Sequence, residues 1–363
     1  MRVGLVCPYS LSLPGGVQGQ VLGLGRALRR MGVEARVLGP CDGPPPEPAV
    51  TPLGNSIPTA ANGSIVPLAP DPAATLRTVR ALRDEAFDVV HIHEPLVPGP
   101  PLTALIFTDQ PKVGTFHRAG RDWWYRAVGP LASWAISWLA VRAAVSEQAR
   151  DGVNWAFPGH YELVWNGIEM DELAGVQPWP AAGPTILFLG RHEPRKGLQV
   201  LIEAVRRLGG GVRVWIASEG PDTARLRQAT SGDERFEWLG VITEREKARR
   251  IRGASVLCAP SLHGESFGVV LLEGFAARTP VVASDIVGYH NVATPGEDAL
   301  LVPPGDPVSL AAALGKALAG GQEVETMVER AEQRVRVFSM DRLAERYLEL
   351  YERARRAAPP GRH

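Results

Sequence analysis

Lysine is nearly missing from this sequence: only Lys112, Lys196, Lys247 and Lys316 stand among 39 lysines and arginines. Where arginine is the default cation, a lysine is either a chosen compact point charge or chance, and only Lys196 falls in a motif taken up below. Cysteine is sparse as well. Cys7, Cys41 and Cys258 are odd in number, scattered and in no metal-ligand spacing, which excludes a disulfide framework and fits a reducing compartment. Basic and acidic residues balance at 39 each. A polyanion binder would carry a basic excess, so no nucleic-acid partner is expected. No apolar run is long enough to span a bilayer, and Met1-Arg2 leads straight into Val3–Cys7, too short for the apolar region of a signal peptide. A cytoplasmic location is expected. Gly-x-Gly-x-x-Gly and Tyr-x-x-x-Lys are both missing, which argues against a dinucleotide-dependent oxidoreductase or epimerase.

What is present reads as α/β. At 363 residues, 45% of them hydrophobic, two domains are the natural expectation. Val3–Cys7 is a buried-strand pattern, Pro8–Gly16 a loop closing on Pro14-Gly15-Gly16, and Val17–Met31 carries apolar residues at helical spacing before the strand pattern of 33–38. Strand, glycine turn, helix and strand make one unit of a doubly wound fold. The proline- and glycine-rich stretch 41–72 predicts loops with a hairpin, followed by a helix over 73–85 and strands at 87–93, 113–117 and 140–146. Asp171–Pro184 is loose in pattern and predicts a hinge. The alternation then restarts at Thr185–Gly190. The final helix, about 341–358, carries Leu343, Tyr347, Leu350 and Tyr351 on one face.

Chemistry concentrates where strands end. The stretch His263–Ala277 follows a strand pattern at 254–260 and enters a helical one, so Glu265 should stand just before a helix N-terminus and Glu273 about two turns inside it. Backbone N–H groups of Ser266, Phe267, Gly268 and Val269 would then face outward as an anion site beside a carboxylate. Gly15-Gly16 would let a phosphate approach the backbone, or simply form a tight turn. Arg191 and Lys196 bracket a charged loop after a buried strand. His117 closes another strand, at the carboxyl end where such sheets place ligands. His91, His93 and Glu94 could suggest a metal, but two alternate histidines without a third well-placed ligand make a poor site, and these read as strand-end residues. From 118 to 138, Arg118, Arg121 and Arg126 are interleaved with Trp123, Trp124, Tyr125, Trp134 and Trp138, a pattern suited either to a membrane-interface helix or to a core helix with a wet end.

The run from Glu265 to Asp285, with Pro14-Gly15-Gly16-Val17-Gln18, His91-Ile92-His93-Glu94-Pro95, Thr115-Phe116-His117 and Glu193-Pro194-Arg195-Lys196-Gly197, resembles the retaining glycosyltransferases of family 4, in particular the phosphatidylinositol mannosyltransferase subgroup of actinobacteria. The resemblance implies the GT-B fold, two facing Rossmann-like domains with an interdomain cleft. The N-terminal domain, 1–172, would bind the acceptor, with helix 341–358 packing back on it, and 183–340 would bind the nucleotide sugar. Mannose from GDP-mannose would pass to a lipid-linked acceptor such as phosphatidylinositol, without a divalent metal and at the inner face of the plasma membrane, with peripheral contact through 118–138. Arg191, Lys196, Glu265 and His117 would be catalytic. The donor would be held by Gly15, Gly16, Arg191, Lys196, Ile242, Glu265, Ser266, Phe267, Gly268 and Glu273, and the acceptor by Tyr9, His117, Arg118 and Arg121. The chain departs from its relatives at Ser12-Leu13, where they carry aspartate, at Pro67 and Ala69, where they carry arginine, and from Arg118 to Tyr125. Arg118 or Arg121 would then take over an inositol phosphate contact. The alternatives are a family 4 enzyme using UDP-glucose or UDP-N-acetylglucosamine with another lipid or a small acceptor, and a sugar-nucleotide- or lipid-binding protein without transfer activity.

Overall fold

A computed structural model of the chain describes residues 1–61, 64–118, 120 and 129–357. The chain divides into two compact units, Met1–Gly167 with the segment from Met340 onward, and Ile168–Ser339.

Among the described residues the first unit holds a parallel sheet in the order β3-β2-β1-β6-β7-β8-β9. Its strands are β1 (Arg2–Val6), β2 (Glu34–Gly39), β3 (Val50–Pro52), β6 (Val89–His93), β7 (Lys112–Phe116), β8 (Val141–Ala144) and β9 (Glu162–Leu163). An antiparallel hairpin, β4 (Ile57–Ala61) with β5 (Ser64–Leu68), stands apart from it. Helices α1 (Gly16–Arg30), α2 (Pro72–Glu85), α3 (Pro100–Phe107), α4 (Gly129–Ile136) and α5 (Glu147–Ala156) connect the strands. β6 and β7 are buried along their whole length because helices cover both faces of a parallel sheet. Pairing of β1 with both β2 and β6 makes the switch point at which such sheets open a crevice at their carboxyl ends.

The second unit repeats the plan, in the order β12-β11-β10-β13-β14-β15. Its strands are β10 (Thr185–Leu189), β11 (Arg213–Ala217), β12 (Phe236–Gly240), β13 (Val256–Ala259), β14 (Val281–Ser284) and β15 (Leu300–Val302). Its helices are α6 (Met170–Ala174), α7 (Leu198–Val205), α8 (Thr223–Ala229), α9 (Glu244–Gly253), α10 (Val269–Ala276), α11 (Pro307–Ala319) and α12 (Gln322–Val335). The switch point lies between β10 and β13.

The last helix, α13 (Met340–Ala357), buries Leu343, Ala344, Tyr347, Leu350, Tyr351 and Ala354 in the core that α1 supplies with Val21, Leu24 and Leu28. Its apolar residues recur every three or four positions, so one stripe faces inward; each large side chain so buried contributes roughly 1.5–3 kcal/mol. Asp171–Pro184, read from its composition as a hinge, is instead docked on the second unit. Leu173 is buried, and the Arg250 guanidinium lies 4.1 Å from the Trp179 ring and 4.5 Å from that of Trp215. Cation–π stacking on a buried arginine orders a segment that its prolines and glycines describe as loose.

Candidate functional site

In the second unit the loop after β10 and the loop after β13 are locked together. Gly197 has φ +68°, and a Cβ there would stand 1.9 Å from the Pro260 carbonyl oxygen, so only glycine lets the two loops lie this close. The Leu262 amide donates to the Arg195 carbonyl at 2.7 Å. Lys196 Nζ thereby reaches Glu265 Oε1 at 2.6 Å, with Ser261 Oγ donating to the same oxygen at 3.0 Å and Arg195 Nη1 at 3.4 Å. Buried Glu193 accepts from Arg195 Nε at 2.9 Å and pairs with Arg191 Nη1 at 3.3 Å. Three cations, Arg191, Arg195 and Lys196, thus pair with two carboxylates, Glu193 and Glu265. Burial by itself would raise the pKa of Glu265, whose side chain is 13% exposed; Lys196, then Arg195 and the Ser261 hydroxyl, outweigh it and hold the carboxyl below its ordinary range.

Glu265 precedes α10, but the helix starts at Val269, so Glu273 stands in its second turn rather than two full turns in. The reason is Gly268, which caps the helix at φ +100° where a Cβ would be 2.9 Å from the Tyr289 ring. No side chain caps α10 or α1, nor α3, α6, α7, α8 or α12, while Asp71, Ser146, Thr243 and Asp306 cap α2, α5, α9 and α11. An uncapped N-terminus leaves backbone donors for an anion. Asn291 Nδ2 donates to the Ser266 carbonyl at 3.1 Å and fixes that turn. The Phe267 side chain points into the core, its ring 5.7 Å from that of Phe338, so only its backbone is left to a ligand.

Glu273 does not join the Lys196–Glu265 group. Its Oε1 lies 2.8 Å from Lys247 Nζ on α9, and Lys247 also pairs with Glu244. Burial would lower the Lys247 pKa, but the charges of Glu273 and then Glu244 carry it above the ordinary range. Ile242 is half-buried in the turn between β12 and α9. Reading the sequence missed Glu193, Arg195, Ser261 and Lys247. Lysine scarcity was a usable signal for Lys247, and Glu193 and Arg195 sit inside the quoted motif. Nothing in the sequence singles out Ser261.

In the first unit Gly15 is the extended N-cap of α1, where a Cβ would meet Gln18 Oε1 at 2.2 Å; at Gly16 the same position is open, with no heavy atom within 4 Å. His117 and Arg118 follow β7, and their amides both donate to Glu94 Oε1, at 2.6 and 3.0 Å. Glu94 is buried and adopts φ +52°, a strained conformation for a non-glycine residue at the end of β6. Tyr9 stands near both: burial first, then the Glu94 charge, push its hydroxyl pKa up, while Arg118 opposes them. His93 Nδ1 and His117 Nε2 are 2.9 Å apart, and burial pulls His117 down to about 4. Arg121 lies outside the described residues. So does most of the aromatic and basic part of 118–138, including Trp123, Trp124, Tyr125 and Arg126; of its described tryptophans, Trp134 is 55% exposed. Among the described residues no group of three or more histidines, cysteines or acids could hold a metal ion, and no helix is long and apolar enough to cross a membrane.

Residues 14–172 match the family model described as Glycosyltransferase Family 4, and residues 183–320 the one described as Glycosyl transferases group 1. The phosphatidyl-myo-inositol mannosyltransferase of Mycobacterium leprae is 38% identical over 97% of this chain and 96% of its own. That of Mycolicibacterium smegmatis is 36% identical over 97% and 94%. Among solved structures, the sucrose-phosphate synthase of Thermosynechococcus elongatus superposes with a TM-score of 0.76 at 21% identity, covering 97% of this chain and 98% of that one. The Anabaena protein HepE, solved with UDP-glucose, gives 0.76 at 17% identity over 97% and 99%. Two parallel Rossmann-like sheets, matched along nearly their whole length by these relatives, make this chain a glycosyltransferase of family 4 with the GT-B fold.

Proposed function

We propose that the enzyme transfers mannose from GDP-mannose to the inositol ring of phosphatidylinositol, with retention at the anomeric carbon. The acceptor and sugar follow the names of the relatives that match the chain end to end. One observation carries the chemistry: three cations, Arg191, Arg195 and Lys196, gathered on Glu193 and Glu265 beside the uncapped start of α10. Preorganised cations and amides facing a leaving diphosphate are the electrostatic contribution that is usually largest in catalysis. Arg191 and Lys196 would take the growing phosphate charge, Lys196 moving from Glu265 to a phosphate oxygen, with the backbone of Ser266, Phe267 and Gly268 completing the cradle. Protein cations then supply the charge that a divalent metal supplies elsewhere. Glu265, released from Lys196, would accept from sugar hydroxyls, Glu273 from the ribose diol, and the backbone at Ile242 would read the base. Gly15 and Gly16 are assigned to the diphosphate, and Tyr9, His117, Arg118 and Arg121 to the acceptor. The exposed Trp134 and the segment 118–138 would rest on the lipid surface at the inner face of the plasma membrane.

The reading is tested by nucleotide release from GDP-mannose, UDP-glucose and UDP-N-acetylglucosamine, with and without phosphatidylinositol vesicles. GDP release that rises with the vesicles and yields a mannosylated lipid is expected. Faster turnover of either UDP sugar overturns the donor, and release indifferent to the lipid overturns the acceptor.

A further inference from the structure

Three histidine rings run through the interior of the first unit toward the residues assigned to the acceptor. His91 is committed on both nitrogens, Nδ1 to the Tyr351 hydroxyl and Nε2 to Thr115 Oγ1, each at 2.8 Å; Thr115 Oγ1 in turn meets the Tyr347 hydroxyl at 2.9 Å. The His93 ring lies 4.1 Å from that of His91 and 5.2 Å from that of His117, centroid to centroid. Its Nδ1 faces His117 Nε2 at 2.9 Å. Its other nitrogen, Nε2, is buried and has no hydrogen-bond partner among the described residues.

A neutral imidazole carries one N–H and one lone pair, so the two facing nitrogens share a single proton. If His117 Nε2 held it, the proton of His93 would have to sit on Nε2, a buried donor with nothing to receive it. If His93 Nδ1 holds it, Nε2 keeps only an idle lone pair. Orphaned buried N–H groups are the rarer and costlier of the two. A charged His117 would force the same orphan on His93. The nearby Glu94 Oε1 accepts from the backbone amides of His117 and Arg118.

We propose that His93 holds His117 as the Nδ1–H tautomer, so that His117 offers substrate a hydrogen-bond donor and does not serve as a general base. This rests on the assignment of His117 to the acceptor side. With Nε2 turned inward to His93, Nδ1 is the nitrogen left for a substrate oxygen. His93 is a positioning residue: it sets the tautomer, while Glu94 sets the backbone from which the ring projects. The proton of the attacking hydroxyl is then left to another base, the departing diphosphate among them.

Long-range ¹H–¹⁵N spectra of the full chain labelled with ¹⁵N-histidine, assigned with His93→Asn and His117→Asn, report the tautomer in the unaltered protein. A protonated Nδ1 and bare Nε2 on His117 are expected; a protonated Nε2 overturns the proposal. Kinetics supply a second reading. Asparagine can keep an N–H close to the place of Nδ1, and phenylalanine cannot. With phosphatidylinositol vesicles, His93→Phe should lose about tenfold in kcat/KM for the lipid while the KM for GDP-mannose holds within about twofold, and His93→Asn should recover most of that loss. Equal loss in both variants argues against a donor at this position. His117→Ala separates the two claims: wild-type transfer by that variant removes the acceptor-side assignment itself, whereas loss of transfer together with an Nε2–H spectrum removes only the tautomer.

Discussion

The two units share one sheet plan and gather their chemistry at the same place in it, yet they do so with opposite electrostatics. In the first unit His91, His93 and His117 are buried and neutral, held by hydroxyls and by one another. In the second, buried Glu193 pairs with Arg191 and Arg195, and half-buried Glu265 is held in its charged form by Lys196 and Arg195. Burial penalises charge in both places, and the outcome depends on whether a counter-charge is within reach. On the proposed assignment, a pyrophosphate departing near the second group needs standing positive charge. On the same assignment, a neutral hydroxyl approaching the first needs hydrogen bonds of fixed direction.

The contrast breaks most widely under acid. Burial, the larger cause for each, holds His91 at about 3 and His117 at about 4, against an ordinary value of 6.5. Between these values the unfolded chain binds more protons than the folded one, so stability falls as pH drops below 6.5, by about 2 kcal/mol for each histidine at pH 5. Glu265 lies below its ordinary 4.5, so its contribution is present above that value and lost only at lower pH. Thermal denaturation at pH 7.5 and 5.0 should therefore show a large loss in the wild type and an equal one in Glu265→Gln. A midpoint indifferent to pH over this range would contradict the neutral histidine group.

Within the second unit, Lys196→Ala or Arg191→Ala should lower kcat by about 100-fold or more, as expected for a lost charge donor in the transition state. Steady-state kinetics at saturating lipid measure it, and variants with near wild-type turnover would remove both residues from catalysis. The Lys247–Glu273 pair should matter less and differently. Lys247→Met frees Glu273 of its partner, so the expected change is about tenfold in the KM for the nucleotide sugar, with kcat nearly held. Equal falls in kcat and kcat/KM would instead give Lys247 a role in the transition state.

Much of this was legible in the residues. Strand and helix patterns were accurate to a few residues for β1, α1, β10 and α13, since the strands are apolar runs and the helices carry apolar residues at a clear period. Reading failed where partners are distant in sequence. Nothing local says that Trp179 stacks on Arg250 or that Glu273 faces Lys247, and composition alone made Asp171–Pro184 a hinge. The start of α10 was misplaced by three residues because the left-handed turn at Gly268 depends on the Tyr289 ring against it.

By itself, then, the sequence determined the alternation of strand and helix, the balance of charge and the motifs at the strand ends, because these follow from period, composition and short-range order. Only the tertiary structure decided which charges neutralise one another and which histidine nitrogen is left without a partner. Those outcomes depend on atoms brought within hydrogen-bonding distance across many residues of chain, and no local pattern encodes that approach.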